Sequence, residues 1–262
     1  MNTAVRSFNV IRLAAFALGY GLTGALMGGT LNRVMVADLG ISIALVGLFF
    51  AVPSLVTPLR VWLGYRSDGF PIFGKRREPY MIIGSLITGV GVVLAVFLSI
   101  SQDPASPLLA LGVMLAFIIY GFGRNLAHNT FQALITDKFS QAGRVRAITA
   151  YEVVTLFGLV MGAGGLGRAL ETFEANRLVS VSIGAVAIAF VLTLFAALRN
   201  EPAQPKSVAE KAREVPFTQV FKQIALADRQ VRIFFIIIMF TIVGTLAQDV
   251  ILEPYGDRKS VV

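Results

Sequence analysis

The sequence contains no cysteine and a single histidine, His128. The first absence excludes disulfide bonds, thiolate catalysis and cysteine-ligated metals, and the second excludes a histidine-rich metal site. Charged residues are also scarce, at 15% compared with about 25% in soluble globular domains. Hydrophobic residues, in contrast, make up 56% of the chain, and the mean hydropathy is +0.75. These values predict an all-α membrane protein.

Long apolar blocks alternate with short segments that hold most of the charge. A helix needs ~20 apolar residues to cross the ~30 Å hydrocarbon core of a bilayer. By this measure the sequence predicts seven spans, at Phe8–Leu31, Ile41–Leu63, Tyr80–Ile100, Leu108–Ile135, Ala147–Leu166, Leu178–Leu198 and Ile233–Val250. The predicted domains are a six-helix bundle at 1–198, a polar linker at 199–232, and a seventh span with the start of a second half at 233–262.

Lys and Arg residues are distributed unequally between the two sides of these spans. Of the 23 basic residues, 17 fall on the side that holds the N-terminus and the polar linker. The positive-inside rule places that side in the cytoplasm. The same rule explains the net charge of +8, so the expected partner is the lipid bilayer and not nucleic acid.

Two pairs of glycines predict close contacts between helices. Gly24 and Gly28 are four residues apart, as are Gly158 and Gly162. Small residues at this spacing let two helix backbones approach each other inside a bilayer.

The loop after the second span carries a distinctive motif. It consists of Gly64 and Asp68, followed by Gly74, Lys75, Arg76 and Arg77. This pattern resembles the loop signature of the major facilitator superfamily, whose members are built from two six-helix halves around a central site. The insertion Gly69–Phe73 departs from the usual spacing. An ordinary positively charged cytoplasmic loop is the alternative interpretation.

Three segments read together resemble the PucC/LhaA family, the light-harvesting assembly branch of that superfamily. They are Leu31–Met35 with Leu39–Gly40, Arg66–Asp68 with Arg77–Tyr80, and a final segment containing Gln248, Asp249, Glu253, Pro254, Tyr255 and Gly256. The resemblance implies a major-facilitator-type helical bundle, comprising the N-terminal six-helix half and the seventh transmembrane helix. The family has twelve spans, so the resemblance also implies a chain truncated after the seventh.

The fourth predicted span is unusually polar. It contains Arg124, Asn125, His128, Asn129 and Gln132, which helical spacing places on one stripe. Ionisable groups inside spans are costly and mark candidate functional sites. At ~1.5 Å of rise per residue, Glu152 in the fifth span lies level with His128. The sequence therefore predicts that Glu152 pairs with Arg124.

Several roles for this polar cluster remain open. It is a structural salt bridge, a cavity lining for substrate or a coupling proton, or a pigment site in which His128 is an axial ligand to chlorophyll magnesium. For Gln248, Asp249 and Glu253 the alternatives are a structural role at a helix end and the docking of a partner.

The resemblance implies a membrane assembly factor for light-harvesting complexes in the inner or photosynthetic membrane of a bacterium. Bacteriochlorophyll and antenna polypeptides are its implied cofactor and partners. A secondary transporter of a small molecule, proton-coupled through Glu152 or Asp249, is the alternative, and an inactive fragment is a third. The sequence shows no catalytic constellation or nucleotide-binding loop, so we expect no enzyme.

Overall fold

The computed structural model describes residues 3–56, 59–101, 106–198, 201, 216–219, 229–230, 232–233, 236–237 and 240. The chain divides into two compact units, Met1–Ala209 and Glu210–Val262. The first unit is a helical bundle that contains the sites described below. In the second unit, the described residues at 217–219, 229–230, 232–233, 236–237 and 240 are helical.

Seven α-helices form the described part of the first unit. They are α1 (Thr3–Gly24), α2 (Ile43–Leu55), α3 (Arg60–Gly69), α4 (Glu78–Ile100), α5 (Pro107–Lys138), α6 (Gln141–Ala169) and α7 (Ala175–Ala197). α1 is extended by two π-helical segments, Ala25–Leu31 and Val34–Asp38.

Five helical segments among the described residues are long and apolar enough to cross a membrane. They are Ile11–Asp38, Glu78–Ile100, Pro107–Lys138, Gly143–Ala169 and Ala175–Ala197. These segments confirm the all-α membrane bundle and correspond to the first, third, fourth, fifth and sixth predicted spans. Most of the seventh predicted span, Ile233–Val250, lies outside the described residues.

The second predicted span is not one continuous helix. α2 has 13 residues and α3 has 10, and 13 residues of helix rise only ~20 Å. Pro53 lies inside α2, and Pro58 follows it in the sequence. A proline has no N–H to donate and crowds the preceding turn of a helix. The prediction of a single segment at Ile41–Leu63 is therefore corrected to two shorter helices.

Close helix packing depends on glycine in this bundle. α1 packs against α6 and α7, while α4 packs against α5 and α7. A Cβ atom built on Gly158 would lie only 2.7 Å from the carbonyl oxygen of Leu18 on α1, and one on Gly162 would lie 2.9 Å from the Cβ of Ala25. The predicted contact at Gly158 and Gly162 is therefore confirmed.

The other predicted glycine pair behaves differently. Gly24 faces the side chain of Arg124, whose Nη2 atom would lie 3.2 Å from an added Cβ. Gly28 has no atom within 4 Å of its Cβ position. The prediction of close packing is wrong for Gly28.

Two residues of the polar stripe, Arg124 and Asn125, lie on α5 between two apolar clusters. On α5 the first cluster includes Val113, Phe117 and Tyr120. The second begins at Ala127 and continues through Phe131. Arg124 and Asn125 therefore occupy the boundary between two well-packed apolar regions.

Candidate functional site

A tight turn brings the two parts of the loop motif together. Ile72 and Lys75 exchange two backbone hydrogen bonds of 3.0 Å each. Between them, Phe73 and Gly74 have positive φ values of 52° and 74°, as in the type I′ turn that favours glycine at its second central position. Because the turn reverses the chain, the inserted residues do not move the basic triplet away from Asp68.

Arg77 is the centre of the resulting charge network. Its guanidinium contacts Asp68 at 2.7 Å and Asp137 at 3.0 Å, and it donates a 3.0 Å hydrogen bond to the Ser67 hydroxyl. Each of the three nitrogens has a different partner, and Arg77 is only 6% exposed. One side chain therefore joins the ends of α3 and α5 to the start of α4.

Glu201 adds the segment after α7 to this network. Its carboxylate accepts hydrogen bonds from the backbone N–H groups of Arg76 and Arg77, at 3.0 and 2.6 Å. These groups lie at the start of α4, where backbone donors lack helical partners and a negative charge is stabilising. The Glu201 N–H in turn donates to the Glu78 carboxylate, which pairs with Lys75 at 2.5 Å.

The predicted loop residues thus assemble, but the motif identified only part of the site. Asp68 lies within ion-pair distance of Arg76 and Arg77. Lys75 pairs with Glu78 instead, and Gly64 lies on α3 facing the Asn129 amide. The acidic residues Glu78, Asp137 and Glu201 were missed. All three lie close to predicted ends of spans, on the same side of the membrane as the basic loop. That shared position was the sequence feature that could have identified them as partners of the basic residues.

The intramembrane stripe of α5 points in two directions. Towards α3, the Asn125 side-chain oxygen accepts a 2.5 Å hydrogen bond from Arg60 Nε, and the Asn129 side chain donates to the Arg60 carbonyl at 3.2 Å. Towards α1, Arg124 donates to the Tyr20 carbonyl at 3.0 Å and to the Thr23 hydroxyl at 3.2 Å. Gln132 is half-buried two turns beyond Arg124.

Arg124 also makes a close cation–π contact. Its guanidinium carbon lies 3.5 Å from the centroid of the Tyr20 ring and 5.8 Å from that of Tyr120. An aromatic face attracts a cation by ~2 kcal/mol or more where water is excluded. Tyr20 therefore holds Arg124 through both its backbone and its ring.

The predicted pair between Arg124 and Glu152 is absent. Glu152 is exposed on α6, and no ion pair in the described part of the chain joins it to Arg124. The residue count placed Glu152 at a depth in the membrane that is compatible with contact to Arg124. The side chain of Glu152, however, lies on an exposed face of α6. Arg60 and Arg124 are thus two guanidinium groups without a carboxylate within 4 Å among the described residues.

His128 belongs to an aromatic cluster between α1, α5 and α6. Its ring centroid lies 4.9 Å from Tyr20 and 5.5 Å from Tyr151, and the two tyrosine rings are 6.3 Å apart. These distances describe a triangle of rings and not a histidine held between two parallel faces. The Nδ1 atom of His128 is buried and has no hydrogen-bond partner among the described residues.

The remaining predicted site residues, Gln248, Asp249, Glu253, Pro254, Tyr255 and Gly256, lie outside the described residues. Their role as a helix end or a docking segment stays a prediction.

Known proteins match this chain along most of its length. A family model described as "PUCC protein" matches residues 30–258. The chain is 32% identical over 95% of its length to a Rhodobacter capsulatus protein described as "Uncharacterized protein in puhA-bchM intergenic region", of which it covers 54%. It is 29% identical to Protein PucC of that organism, covering 56% of it.

A further relative from Rhodobacter capsulatus, "Bacteriochlorophyll synthase 44.5 kDa chain", is 25% identical over 94% of this chain and 56% of its own length. The chain therefore spans about half the length of the curated relatives it matches.

Proposed function

Since the chain belongs to the PucC family, we propose that this bacterial multi-pass membrane protein assists the assembly of light-harvesting antenna complexes by handling or delivering bacteriochlorophyll. The observation that carries the proposal is the family match over residues 30–258. The spanning helices agree with it, because they indicate a lipid bilayer environment. One relative bears the name of the pigment.

The proposed role is non-enzymatic. One relative is named as a bacteriochlorophyll synthase chain, and this name suggests the opposite hypothesis, namely that the protein takes part in pigment synthesis. Pigment analysis separates the two roles. An assembly factor whose gene is deleted should leave free bacteriochlorophyll in the membrane, whereas loss of a synthetic component should leave precursors of the pigment.

The same deletion tests the main proposal in the organism that carries the gene. We expect the near-infrared absorption of the antenna to fall strongly, while reaction-centre absorption is retained, and restoration of the gene to reverse the loss. Unchanged antenna absorption in the deletion strain would overturn the assembly role.

His128 supports contact with the pigment. The magnesium of bacteriochlorophyll takes an axial ligand, and a neutral imidazole nitrogen is a suitable one. The Nδ1 atom of His128 is buried and has no hydrogen-bond partner among the described residues, so it is the imidazole atom that this proposed ligation would use. Tyr20 and Tyr151 beside it present aromatic surface to an apolar ligand.

A matched pair of variants separates ligation from packing. His128→Ala removes both the ring and its nitrogens, while His128→Phe keeps an aromatic ring beside Tyr20 and Tyr151. If His128 is a ligand, both variants should lose pigment that co-purifies with wild type, as measured by absorption. If His128→Phe retains as much pigment as wild type, the imidazole only packs.

A second candidate is a secondary transporter of the major facilitator type. Arg60 and Arg124 favour it, because two guanidinium groups without a carboxylate partner among the described residues would attract an anionic substrate into the span. Proton-dependent uptake into vesicles would support this function, and Glu152→Gln and Asp249→Asn would test which acid couples it.

A further inference from the structure

Glu152 is an exposed acid on a helix that is long and apolar enough to cross a membrane. It lies on α6, within the 27-residue apolar segment Gly143–Ala169. Among the described residues, Glu152 forms no ion pair. Ionisable groups inside membrane spans are costly, and they face protein or a water-filled cavity instead of lipid. The exposed surface around Glu152 therefore requires a neighbour other than lipid.

Glu152 lies inside the hydrocarbon core for every placement of α6 that spans this core. The segment Gly143–Ala169 rises ~39 Å, which exceeds the ~30 Å core by ~9 Å. Glu152 follows Gly143 by nine residues, or ~14 Å of helix rise. Its position is therefore ~4–14 Å inside the core, wherever the core falls within the segment. Lys and Arg reach the membrane surface from such depths through long side chains, which glutamate lacks.

The residues around Glu152 form a seam with the periodicity of helix packing. Val145, Ile148, Glu152, Thr155 and Leu159 recur at alternating spacings of three and four residues. The three apolar members of this seam are exposed. Such spacing is typical of two helices that pack along each other, where a single polar residue fixes the register. A seam that is apolar except at one acid therefore fits a helix better than it fits a water-filled cavity.

The exposed stripe of α4 provides a contrast. Its residues have a similar spacing and include no ionisable group; they are Ile83, Leu86, Val90, Leu94 and Phe97. Lipid tails are as apolar as leucine, so lipid is a sufficient neighbour for such a stripe. Exposure alone thus does not identify a docking surface. The acid at position 152 distinguishes the α6 seam, and its negative charge defines the complementary partner.

We propose that the α6 seam binds a transmembrane helix of another protein that carries one basic side chain at the depth of Glu152. The apolar seam residues pack against this helix, and its Lys or Arg pairs with the Glu152 carboxylate. Pairing removes much of the cost of holding either charge alone inside the bilayer. The partner is defined by an apolar span with one positive charge. This inference does not depend on the proposed function, because the probe used to test it contains no pigment.

The test uses the full chain in detergent and a synthetic leucine–alanine transmembrane peptide that carries one lysine and a neighbouring photoreactive residue. Irradiation cross-links the peptide where the two helices pack, and mass spectrometry of the adduct locates the site. Wild type should cross-link through α6. Replacing the peptide lysine by leucine, or Glu152→Gln in the protein, should each lower the yield about fivefold, the effect of one interhelical polar contact. The two changes together should lower it no further, because they remove the same contact.

Glu171→Gln is the matched control. Glu171 is also an exposed acid, but it follows α6 outside the segment Gly143–Ala169. This variant should leave the cross-linking yield unchanged, and both variants should keep the wild-type elution volume on size exclusion. Equal cross-linking of the lysine and leucine peptides would overturn the proposal, as would equal losses in Glu152→Gln and Glu171→Gln.

The absence of cysteine from the chain separates the other possible neighbours of the seam, since an introduced cysteine is the only thiol. Leu156→Cys lies one turn from Glu152. A water-soluble, membrane-impermeant maleimide should label it much more slowly than Ser140→Cys, at the exposed residue before α6. Equally rapid labelling would place a water-filled cavity at the seam. A disulfide-linked dimer of Ile148→Cys under oxidation would place a second copy of the chain there. Either result would overturn the proposal.

Discussion

Replacing Arg77 by lysine should destabilise the bundle nearly as much as removing the side chain. Arg77 uses Nε for Asp137, Nη1 for Ser67 and Nη2 for Asp68. A lysine keeps the charge but presents one compact ammonium group, which cannot reach three partners in three directions. A positive charge alone is therefore not sufficient at position 77 to hold the three partners together.

The size of the effect follows from the contacts that are lost. A hydrogen bond to a charged group contributes ~1.5–3 kcal/mol. Asp68 and Asp137 have side chains that are 42% and 41% exposed, so water screens part of each contact. We expect Arg77→Lys to cost about 2–4 kcal/mol. In a domain of this size that corresponds to a fall of roughly 5–12 °C in the apparent Tm.

Arg76→Lys is the matched control for this measurement. The Arg76 side chain lies 3.8 Å from Asp68, 4.0 Å from Asp137 and 3.8 Å from Glu201, so its ion pairs are all long. Its replacement should cost less than ~1 kcal/mol. The apparent Tm is measured in detergent by the fraction that remains monodisperse after heating. Equal shifts in the two lysine variants would refute the assignment of Arg77 as the centre of the network.

Other predictions address orientation, the loop acid and helix packing. A reporter that is active only in the cytoplasm should work when fused after Gly74 and fail at Asp103; the reverse result would contradict the positive-inside argument. Asp68→Asn should lower antenna assembly without preventing insertion, and equal assembly would reduce the loop to a topology signal. Gly158→Ala should cost ~1–3 kcal/mol by overpacking against α1, whereas Gly164→Ala, with nothing within 4 Å of its Cβ position, should be tolerated.

Hydropathy was sufficient to predict most of the fold. Backbone N–H and C=O groups inside a bilayer must form hydrogen bonds within their own segment. An apolar block long enough to span the bilayer therefore has few alternatives to an α-helix. α5 shows this, because its polar stripe did not prevent a helix over Pro107–Lys138. The failure at Ile41–Leu63 has a local cause. Pro53 lies inside α2, two residues before the last residue of that helix. A proline cannot donate a backbone hydrogen bond, and an average of hydrophobicity over a segment does not register this.

The loop site was predictable in its chemistry but not in its partners. The loop motif contains Asp68 and the two arginines that pair with it, Arg76 and Arg77. The other acids of the network are remote in sequence, since Asp137 and Glu201 lie 60 and 124 residues from Arg77. A local motif carries no information about such pairs. Only the packing of the ends of α5 and α7 beside the start of α4 brings these acids to Arg77.

Arg124 shows why depth alone cannot identify a partner. Counting residues placed Glu152 at nearly the same depth in the membrane as Arg124. Contact also requires that Glu152 lie on the face of α6 that is directed towards Arg124, and residue counting does not give that face. In the structure Arg124 contacts Tyr20 and Thr23 of α1 instead.

A double-mutant cycle decides between the two pairings. Arg124→Leu with Tyr20→Leu should show a coupling of about 2 kcal/mol, the size of a cation–π contact from which water is excluded. Arg124→Leu with Glu152→Leu should be additive to within ~0.5 kcal/mol, as for residues that share no contact. Strong coupling to Glu152 and none to Tyr20 would restore the pair expected from depth.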